Sequence, residues 1–269
     1  MNLKAKLKKN ELTIGSWITL AHPAIAEIMA KAGFEWLVVD LEHSVITIRE
    51  AEELIRIIEL CGVTPLVRLS ANDPVQIKRV MDAGAHGVIV PMVNSAEDAK
   101  AAVDAVYYPP IGSRGVGLAR AQTYGADFEG YKAWLKDNAI VIVQIEHIKA
   151  VNNLEEILAV DGVDGFIVGP YDLSGSLNIP GEFSHPEMLS ALDRIKDISK
   201  RVKKPSGFHV VQPDVDMLIK KIDEGYRFIA FSVDFLFLGR ACRDSIRKIK
   251  GDIGISMKNH KKRNITNHK

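Results

Sequence analysis

Eight short runs rich in β-branched and apolar residues alternate along the chain with segments of helical periodicity. These runs cover residues 13–20, 36–40, 64–68, 87–91, 139–146, 165–169, 206–211 and 227–233. Because they are almost continuously hydrophobic, they are typical of parallel strands buried on both faces. Eight strand–helix units in a chain of 269 residues predict a single α/β domain, a (β/α)8 TIM barrel.

A doubly wound parallel sheet is the alternative fold. Such a sheet usually has fewer strands, and its dinucleotide-binding members carry a glycine fingerprint after a strand. The nearest glycine cluster, at residues 112–117, has the wrong spacing and does not follow a strand. We therefore assign residues 1–255 to the barrel and residues 256–269 to a basic, flexible C-terminal tail.

The segment at residues 107–138 breaks the regular alternation because it is rich in Gly, Pro and Arg. We expect an irregular loop here. A loop of this length in a compact domain is usually functional, often as a lid or a subunit contact.

Charge and cysteine content exclude several classes of protein. The chain has 35 Lys and Arg against 34 Asp and Glu, so it lacks the basic excess of a nucleic-acid-binding protein. No apolar run approaches the ~20 residues that span a bilayer, and the basic N-terminus lacks the apolar stretch of a signal peptide. Cys61 and Cys242 form no CxxC motif, which argues against a disulfide framework or a thiolate metal site. We expect a cytoplasmic protein with no nucleic-acid or membrane partner.

The C-terminal ends of the strands are where a barrel of this kind builds its active site. The polar residues at or just beyond these ends include Asp40, Glu42, His43, Arg68, Gln144, Glu146, Asp172, Ser174, His209, Ser232 and Asp234. No strand end carries a lysine, so Schiff-base chemistry lacks its nucleophile.

Two of these carboxylates, Glu146 and Asp172, follow neighbouring strands and can converge on one ion. Two carboxylates with water completing the coordination suit a hard cation such as Mg²⁺ or Mn²⁺. An equally weighted interpretation is that both residues cap helices or form ion pairs, since Asp172 can open a helical turn.

Arg68 and the pair Asp40 and His43 are candidates for acid–base and electrostatic roles. Arg68 ends a hydrophobic strand, so its charge should face carboxylates or an anionic substrate. A structural ion pair of Arg68 with Glu42 or Glu146 is nearly as well supported. Asp40 lies three residues before His43, close enough to bind one imidazole nitrogen and fix its tautomer.

Several motifs in order along the chain carry a family resemblance. They are GFEW at residues 33–36, DLEHS at 40–44, PLVR at 65–68, YPPIGSR at 108–114, QIE at 144–146 and GPYDLS at 169–174. With these motifs the chain resembles the HpcH/HpaI aldolase family, the metal-dependent class II pyruvate aldolases, over residues 15–240. Within this family the chain is similar to the 4-hydroxy-2-oxoheptanedioate and 2-dehydro-3-deoxyglucarate aldolases. Such enzymes cleave a 4-hydroxy-2-oxo acid reversibly to pyruvate and an aldehyde.

The resemblance implies a metal site and an enolate site. Glu146 and Asp172 would bind a divalent metal cation, Mg²⁺, Mn²⁺ or Co²⁺, which pyruvate would chelate. Arg68 would stabilise the enolate oxygen as charge develops. Asp40 and His43 would form a dyad that handles protons at the aldehyde oxygen or at a water molecule.

The resemblance also implies a substrate pocket and an oligomer. Trp17 and Gln144 would line the pocket, and the backbone after Gly169 and Pro170, beside Tyr171 and Asp172, would bind the substrate carboxylate. Members assemble as hexamers, trimers of dimers that exchange the last helix, so we expect a homo-oligomer whose last helix is exchanged.

Departures from the family pattern lie at His147, Tyr171 and His209, where we expect smaller residues or a glycine-rich strand. They leave the metal and enolate residues intact and concern the choice of aldehyde. His147 and His209 could bind an unusual aldehyde or could fill space behind the site. Two other functions stay open: a CoA-ester lyase of the citrate lyase β type, and a non-catalytic barrel that binds an oxo acid.

Overall fold

A computed structural model describes residues 2–252 of the chain. Its eight strands are β1 (Thr13–Ile18), β2 (Trp36–Asp40), β3 (Thr64–Arg68), β4 (Gly87–Val90), β5 (Ile140–Ile145), β6 (Gly165–Val168), β7 (Ser206–Val210) and β8 (Phe228–Val233). They form a closed barrel in chain order in which every neighbouring pair is parallel, including β8 with β1. The predicted (β/α)8 TIM barrel is confirmed.

Twelve α-helices lie among the described residues, and most of them surround the barrel. They are α1 (Leu3–Lys8), α2 (Pro23–Lys31), α3 (Ile48–Leu60), α4 (Pro74–Asp82), α5 (Ala96–Val106), α6 (Phe128–Asn138), α7 (Ile148–Asn152), α8 (Leu154–Ala159), α9 (Pro170–Ser176), α10 (Pro186–Val202), α11 (Val215–Asp223) and α12 (Asp234–Asp252). Helix starts follow local sequence signals: Thr47 and Glu50 form a capping box at α3, and Ser95 caps α5.

Two apolar layers hold the barrel together. The larger layer lies between the strands and the surrounding helices, and the smaller one fills the barrel interior. In the interior, Trp36 stacks on Phe228 with ring centroids 4.1 Å apart. Gly15 is required beside them, because a Cβ atom there would lie 2.0 Å from the Trp36 ring.

Helix α1 closes the N-terminal end of the barrel, and the sequence did not predict it. Its Leu3 and Leu7 join the interior apolar cluster, which includes the first residues of β2, β5 and β8. Between them, the buried Lys4 side chain forms an ion pair with Asp164, at 3.1 Å. Its ammonium also donates to the Tyr107 hydroxyl, at 2.9 Å, and to the carbonyl of Ala139.

The segment at residues 107–138 is more ordered than the loop that its composition predicts, so that expectation was wrong. It contains a 3₁₀ helix (Arg120–Gly125) and α6. Its start is held by the buried Arg114, whose guanidinium lies 4.3 Å from the centre of the Tyr108 ring and donates to the Tyr131 hydroxyl, at 2.9 Å. The segment is therefore held by the hydrogen bonds and ring contacts of this buried arginine rather than by a regular hydrophobic pattern.

The predicted tail at residues 256–269 lies outside the described residues. Within residues 2–252, no helix combines the length and the apolar character needed to cross a membrane.

We predict that Lys4→Met lowers the free energy of unfolding by about 3 kcal/mol, because it leaves the buried Asp164 carboxylate without its counter-charge. Urea unfolding at neutral pH measures the change. The matched control is Lys8→Met on the exposed face of the same helix, which should stay within about 0.5 kcal/mol of the parent protein. Equal losses in both variants would show that the ion pair does not stabilise the fold.

Candidate active site

Arg68 and Asp40 form the best-defined contact at the C-terminal end of the barrel. They are the last residues of β3 and β2 and lie opposite each other in the sheet register. The Arg68 guanidinium binds Asp40 through both carboxylate oxygens, with Nε–Oδ1 at 2.9 Å and Nη2–Oδ2 at 2.6 Å. Although burial of Asp40 opposes ionisation, the hydrogen bond and charge of Arg68 hold its pKa below the ordinary value. The predicted need of Arg68 for a carboxylate partner is met by Asp40.

The expected contact between the Asp40 carboxylate and the His43 imidazole is not formed, and this part of the prediction was wrong. Within residues 2–252, Asp40 accepts side-chain hydrogen bonds only from Arg68, and its Oδ1 atom also accepts from the backbone N–H groups of Glu42 and His43. The His43 imidazole is mostly exposed, and its Nε2 atom lies 3.8 Å from Glu42 Oε2. The bidentate arginine fork outcompetes the imidazole because it satisfies both oxygens of a buried carboxylate.

Glu42 is the second acid beside Arg68, with its Oε2 atom 3.3 Å from Arg68 Nη1. Burial raises the pKa of Glu42 to about 7, and although Arg68 opposes this, the charges of Glu146, Asp40 and Asp172 add to it. The four acids therefore share one electrostatic environment around a single arginine.

Trp17 forms the inner wall of the site. Its indole lies against Arg68, with the guanidinium carbon 4.3 Å from the ring centre, and against His209, with ring centroids 5.3 Å apart. Burial lowers the pKa of His209 to about 3, so its imidazole is neutral, and its Nε2 atom lies 3.3 Å from the carbonyl oxygen of Ser232. His209 thus points into the barrel and packs behind the site.

Glu146 follows β5 and is held by two hydrogen bonds. Its Oε1 atom accepts a hydrogen bond from the backbone N–H of Met92, at 2.6 Å, and its Oε2 atom accepts from the Gln144 amide. Gly169 leaves room for this carboxylate, since a Cβ atom there would lie 3.1 Å from Glu146 Oε2. Burial raises the pKa of Glu146, and the charge of Asp172 adds to that effect. Glu146 and Asp172 therefore lie near each other, as the sequence predicted.

Met92 is the residue that sequence reasoning missed. It has a positive φ of 53°, which turns its N–H toward Glu146. The contact is made by the backbone, so its side-chain chemistry gives no signal. Its position two residues after the end of β4 is the one sequence signal that could have indicated it.

A cavity of about 550 Å³ opens over the carboxylates of Glu146 and Asp172. Its lining consists of Met92, Glu146, His147, Tyr171, Asp172, Gly175, Ser176, Pro180 and Gly181. Gly169 caps α9, Pro170 is its first residue, and Asp172 lies in its first turn with an exposed side chain. His147 caps α7 by accepting a hydrogen bond from the Lys149 N–H, at 3.1 Å. Tyr171 is half-exposed and packs edge-on against Phe183, at 4.9 Å.

The donor set of this cavity fits a divalent cation. Among the described residues, no cluster of three or more His, Cys, Asp or Glu side chains surrounds a single point, which argues against a closed metal site built from protein ligands alone. The carboxylates of Glu146 and Asp172 leave the remaining coordination to water or substrate oxygens. Several buried polar atoms nearby lack hydrogen-bond partners within the described chain, which fits a site that binds a polar ligand. These atoms are Trp17 Nε1, Gln144 Oε1 and Ser232 Oγ.

Comparison with known proteins identifies similar chains along nearly the whole length. Residues 13–240 match the family model described as HpcH/HpaI aldolase/citrate lyase. The chain is 40% identical over 233 residues to a hydroxypyruvate/pyruvate aldolase of Sagittula stellata, covering 86% of this chain and 90% of that protein. It is 37% identical over 246 residues to a 2-dehydro-3,6-dideoxy-6-sulfogluconate aldolase of Pseudomonas putida, covering 91% and 95%.

A crystal structure of similar fold comes from Burkholderia cenocepacia J2315 and is described as an HpcH/HpaI aldolase/citrate lyase family protein. It superposes with a TM-score of 0.87 at 32% sequence identity, covering 92% of this chain and 98% of that chain.

Glu42 should make the folded protein less stable as the pH rises from about 4.5 to about 7. The folded state retains the Glu42 proton up to about pH 7, whereas the unfolded chain releases it near the ordinary pKa of 4.5. We expect Glu42→Gln, which cannot titrate, to reduce this loss by about 2 kcal/mol. Urea unfolding in EDTA at pH 5 and pH 8 measures the difference.

The control is Glu53→Gln, which removes an exposed acid on α3 and should retain the pH dependence of the parent protein. If Glu42→Gln also retained it, Glu42 would not be the group that titrates near neutral pH.

Proposed function

Because the chain belongs to the HpcH/HpaI aldolase/citrate lyase family, we propose that it reversibly cleaves a 4-hydroxy-2-oxo acid to pyruvate and an aldehyde. The enzyme class is that of a carbon–carbon lyase of the aldolase type. The observation that carries the proposal is the meeting of Glu146 and Asp172 at one cavity, close enough to Arg68 for its charge to act on Glu146.

Glu146 and Asp172 would hold a divalent cation, Mg²⁺, Mn²⁺ or Co²⁺. When bound, this cation would act as a Lewis acid on the carbonyl of the oxo acid. The Met92 N–H and the Gln144 amide hold the Glu146 carboxylate in place before any cation arrives. Such positioning reduces the reorganisation needed on binding.

Arg68 would stabilise negative charge on the substrate's C2 oxygen. Cleavage of the C3–C4 bond releases the aldehyde and leaves its electron pair as an enolate, which becomes pyruvate when C3 takes up a proton. Arg68 is held by Asp40 and by Trp17, so the position of its guanidinium is set before the reaction begins. Asp40 acts by orienting Arg68.

Proton transfer at the C4 hydroxyl is assigned to His43. Its imidazole is exposed at the mouth of the barrel, and its Nε2 atom lies beside Glu42 Oε2. Burial raises the pKa of Glu42 to about 7, so Glu42 can carry a proton beside His43 at neutral pH. His43 would take the hydroxyl proton during cleavage and return it during aldol addition.

The substrate carboxylate would bind at the start of α9, where Gly169 and Pro170 turn the chain into the helix. Gly169 leaves room for the Glu146 carboxylate, and Tyr171 and Asp172 flank the same turn. Gln144 and Trp17 would complete the pocket through Gln144 Oε1 and Trp17 Nε1, which lack partners within the described chain.

A homo-oligomer, a hexamer built as a trimer of dimers that exchange α12, is part of this proposal, as is a cytoplasmic location. Four large apolar side chains of α12 are about half-exposed: Phe235, Leu238, Ile246 and Ile249. A helix with such a row of exposed apolar residues favours burial against a second subunit.

We predict that Glu146→Gln and Asp172→Asn each weaken Mn²⁺ binding by about 100-fold or more, because each variant removes one charged ligand. Electron paramagnetic resonance of free Mn²⁺ measures binding. Deuterium exchange into the methyl group of pyruvate, followed by NMR, measures enolate formation without an aldehyde. The exchange rate should fall together with Mn²⁺ binding. The control is Glu182→Gln, an exposed carboxylate that does not line the cavity. Full exchange in either cavity variant would contradict the proposal.

Arg68→Lys should slow pyruvate deuterium exchange by about 100-fold, since an ammonium cannot bind Asp40 with two parallel hydrogen bonds and still reach the substrate oxygen. Mn²⁺ binding should remain within a few-fold of the parent protein, because Arg68 is not assigned as a ligand. Unchanged exchange would remove Arg68 from its proposed role.

A further inference from the structure

The cavity over Glu146 and Asp172 adjoins a second cavity, of about 490 Å³, that lies between α10 and α11. We call the second cavity the side cleft. Tyr171 lines both cavities, so its side chain stands at their junction. The apolar residues of the side cleft include Phe183, Met188, Leu189, Leu192, Phe208 and Met217.

Several exposed apolar side chains line the side cleft. Phe183 is 38% exposed, Leu189 49% and Met217 41%, although they come from a loop and two different helices. Single exposed apolar side chains are common, whereas several that line one concave surface indicate a binding site. The edge-on pair of Tyr171 and Phe183 forms the entry to this surface from the carboxylate side.

The charged residues of the side cleft are balanced. Three acids face three lysines: Asp193, Asp214 and Glu224 against Lys196, Lys220 and Lys221. Lys221 pairs with Glu224 at 2.8 Å, and its ammonium lies 4.4 Å from the centre of the Phe208 ring. The side cleft therefore offers no net attraction to a charged group. Its polar residues, which also include Ser184, His209 and Gln212, can bind a hydroxyl group, whereas its aromatic and aliphatic residues favour an alkyl or aryl group.

We propose that the side cleft binds an apolar tail of the substrate. Resting on the proposed function, this makes the substrates 4-hydroxy-2-oxo acids whose aldehyde fragment ends in an alkyl or aryl group rather than a carboxylate or a polyol. The oxo-acid end lies at Glu146 and Asp172, and the tail passes Tyr171 and Phe183 to reach α10 and α11.

The first test is equilibrium binding, which needs no turnover. Unbranched 2-oxo acids from 2-oxobutanoate to 2-oxooctanoate are titrated calorimetrically into the full-length protein with Mn²⁺. Burial of each added methylene should tighten binding about three- to fourfold, so the longest acid, which has four more methylenes, should bind about 80- to 250-fold more tightly than the shortest.

Met217→Asp and Ile219→Asp form a matched pair for this experiment. Both residues are exposed apolar positions on α11, but only Met217 lines the side cleft. Met217→Asp should reduce the gain over the whole acid series to about twofold, and Ile219→Asp should retain it. Phe183→Ala should reduce it to an intermediate value.

The second test is pyruvate addition to aldehydes. We expect kcat/KM for hexanal to exceed that for glycolaldehyde and succinic semialdehyde, and to fall about tenfold in Met217→Asp with no change for glycolaldehyde. The inference would be overturned if binding did not depend on chain length, or if that dependence were the same in Met217→Asp and the parent protein. A change of sedimentation coefficient in Met217→Asp without a change in chain-length dependence would also overturn it, because the side cleft would then be a subunit contact.

Pyruvate deuterium exchange separates this inference from the proposed function. Exchange without chain-length dependence supports the function and overturns the apolar subsite. Chain-length dependence that Met217→Asp abolishes, without exchange, supports the subsite and overturns the function.

Discussion

The buried charge of Arg68 is what allows four acids to gather at one end of the barrel. Asp40 and Glu42 contact it directly, and its charge also acts on Glu146. When the four carboxylates are ionised, one guanidinium does not neutralise them, and the site carries an excess of negative charge. Such an excess is the electrostatic condition under which a divalent cation binds well. The ion pair therefore organises the acids, and the remaining charge favours a cation.

The barrel could be predicted from the sequence because its strands are buried on both faces and leave continuous apolar runs. The predicted strand 36–40 matches β2, and the predicted strand 64–68 matches β3. The missed elements are short or atypical. Helix α1 has only six residues. Its Lys4 is buried against Asp164, whereas a lysine in the sequence alone indicates an exposed position. The fold of residues 107–138 depends on contacts of Arg114 that no periodicity reveals.

The candidate site was predictable where its residues act through side chains at strand ends. Glu146 and Asp172 line one cavity, as expected from their positions after neighbouring strands, and the charge of Arg68 acts on Glu146. The partner of Asp40 was not predictable from the sequence. His43 lies three residues away and Arg68 ends the next strand, and only the strand register shows that Arg68 lies opposite Asp40. The side cleft was not predictable either, since Tyr171 and Met217 are distant in sequence and their meeting depends on how the helices pack.

The backbone contact of Met92 separates two tasks that usually constrain one residue. Its N–H holds Glu146, and its half-exposed side chain lines the mouth of the cavity. A change of side chain at this position alters the shape of the mouth while the carboxylate keeps its anchor, provided that the new residue tolerates a positive φ. Asparagine would meet that condition more easily than a β-branched residue. Position 92 is therefore a place where substrate preference can diverge without loss of the underlying chemistry.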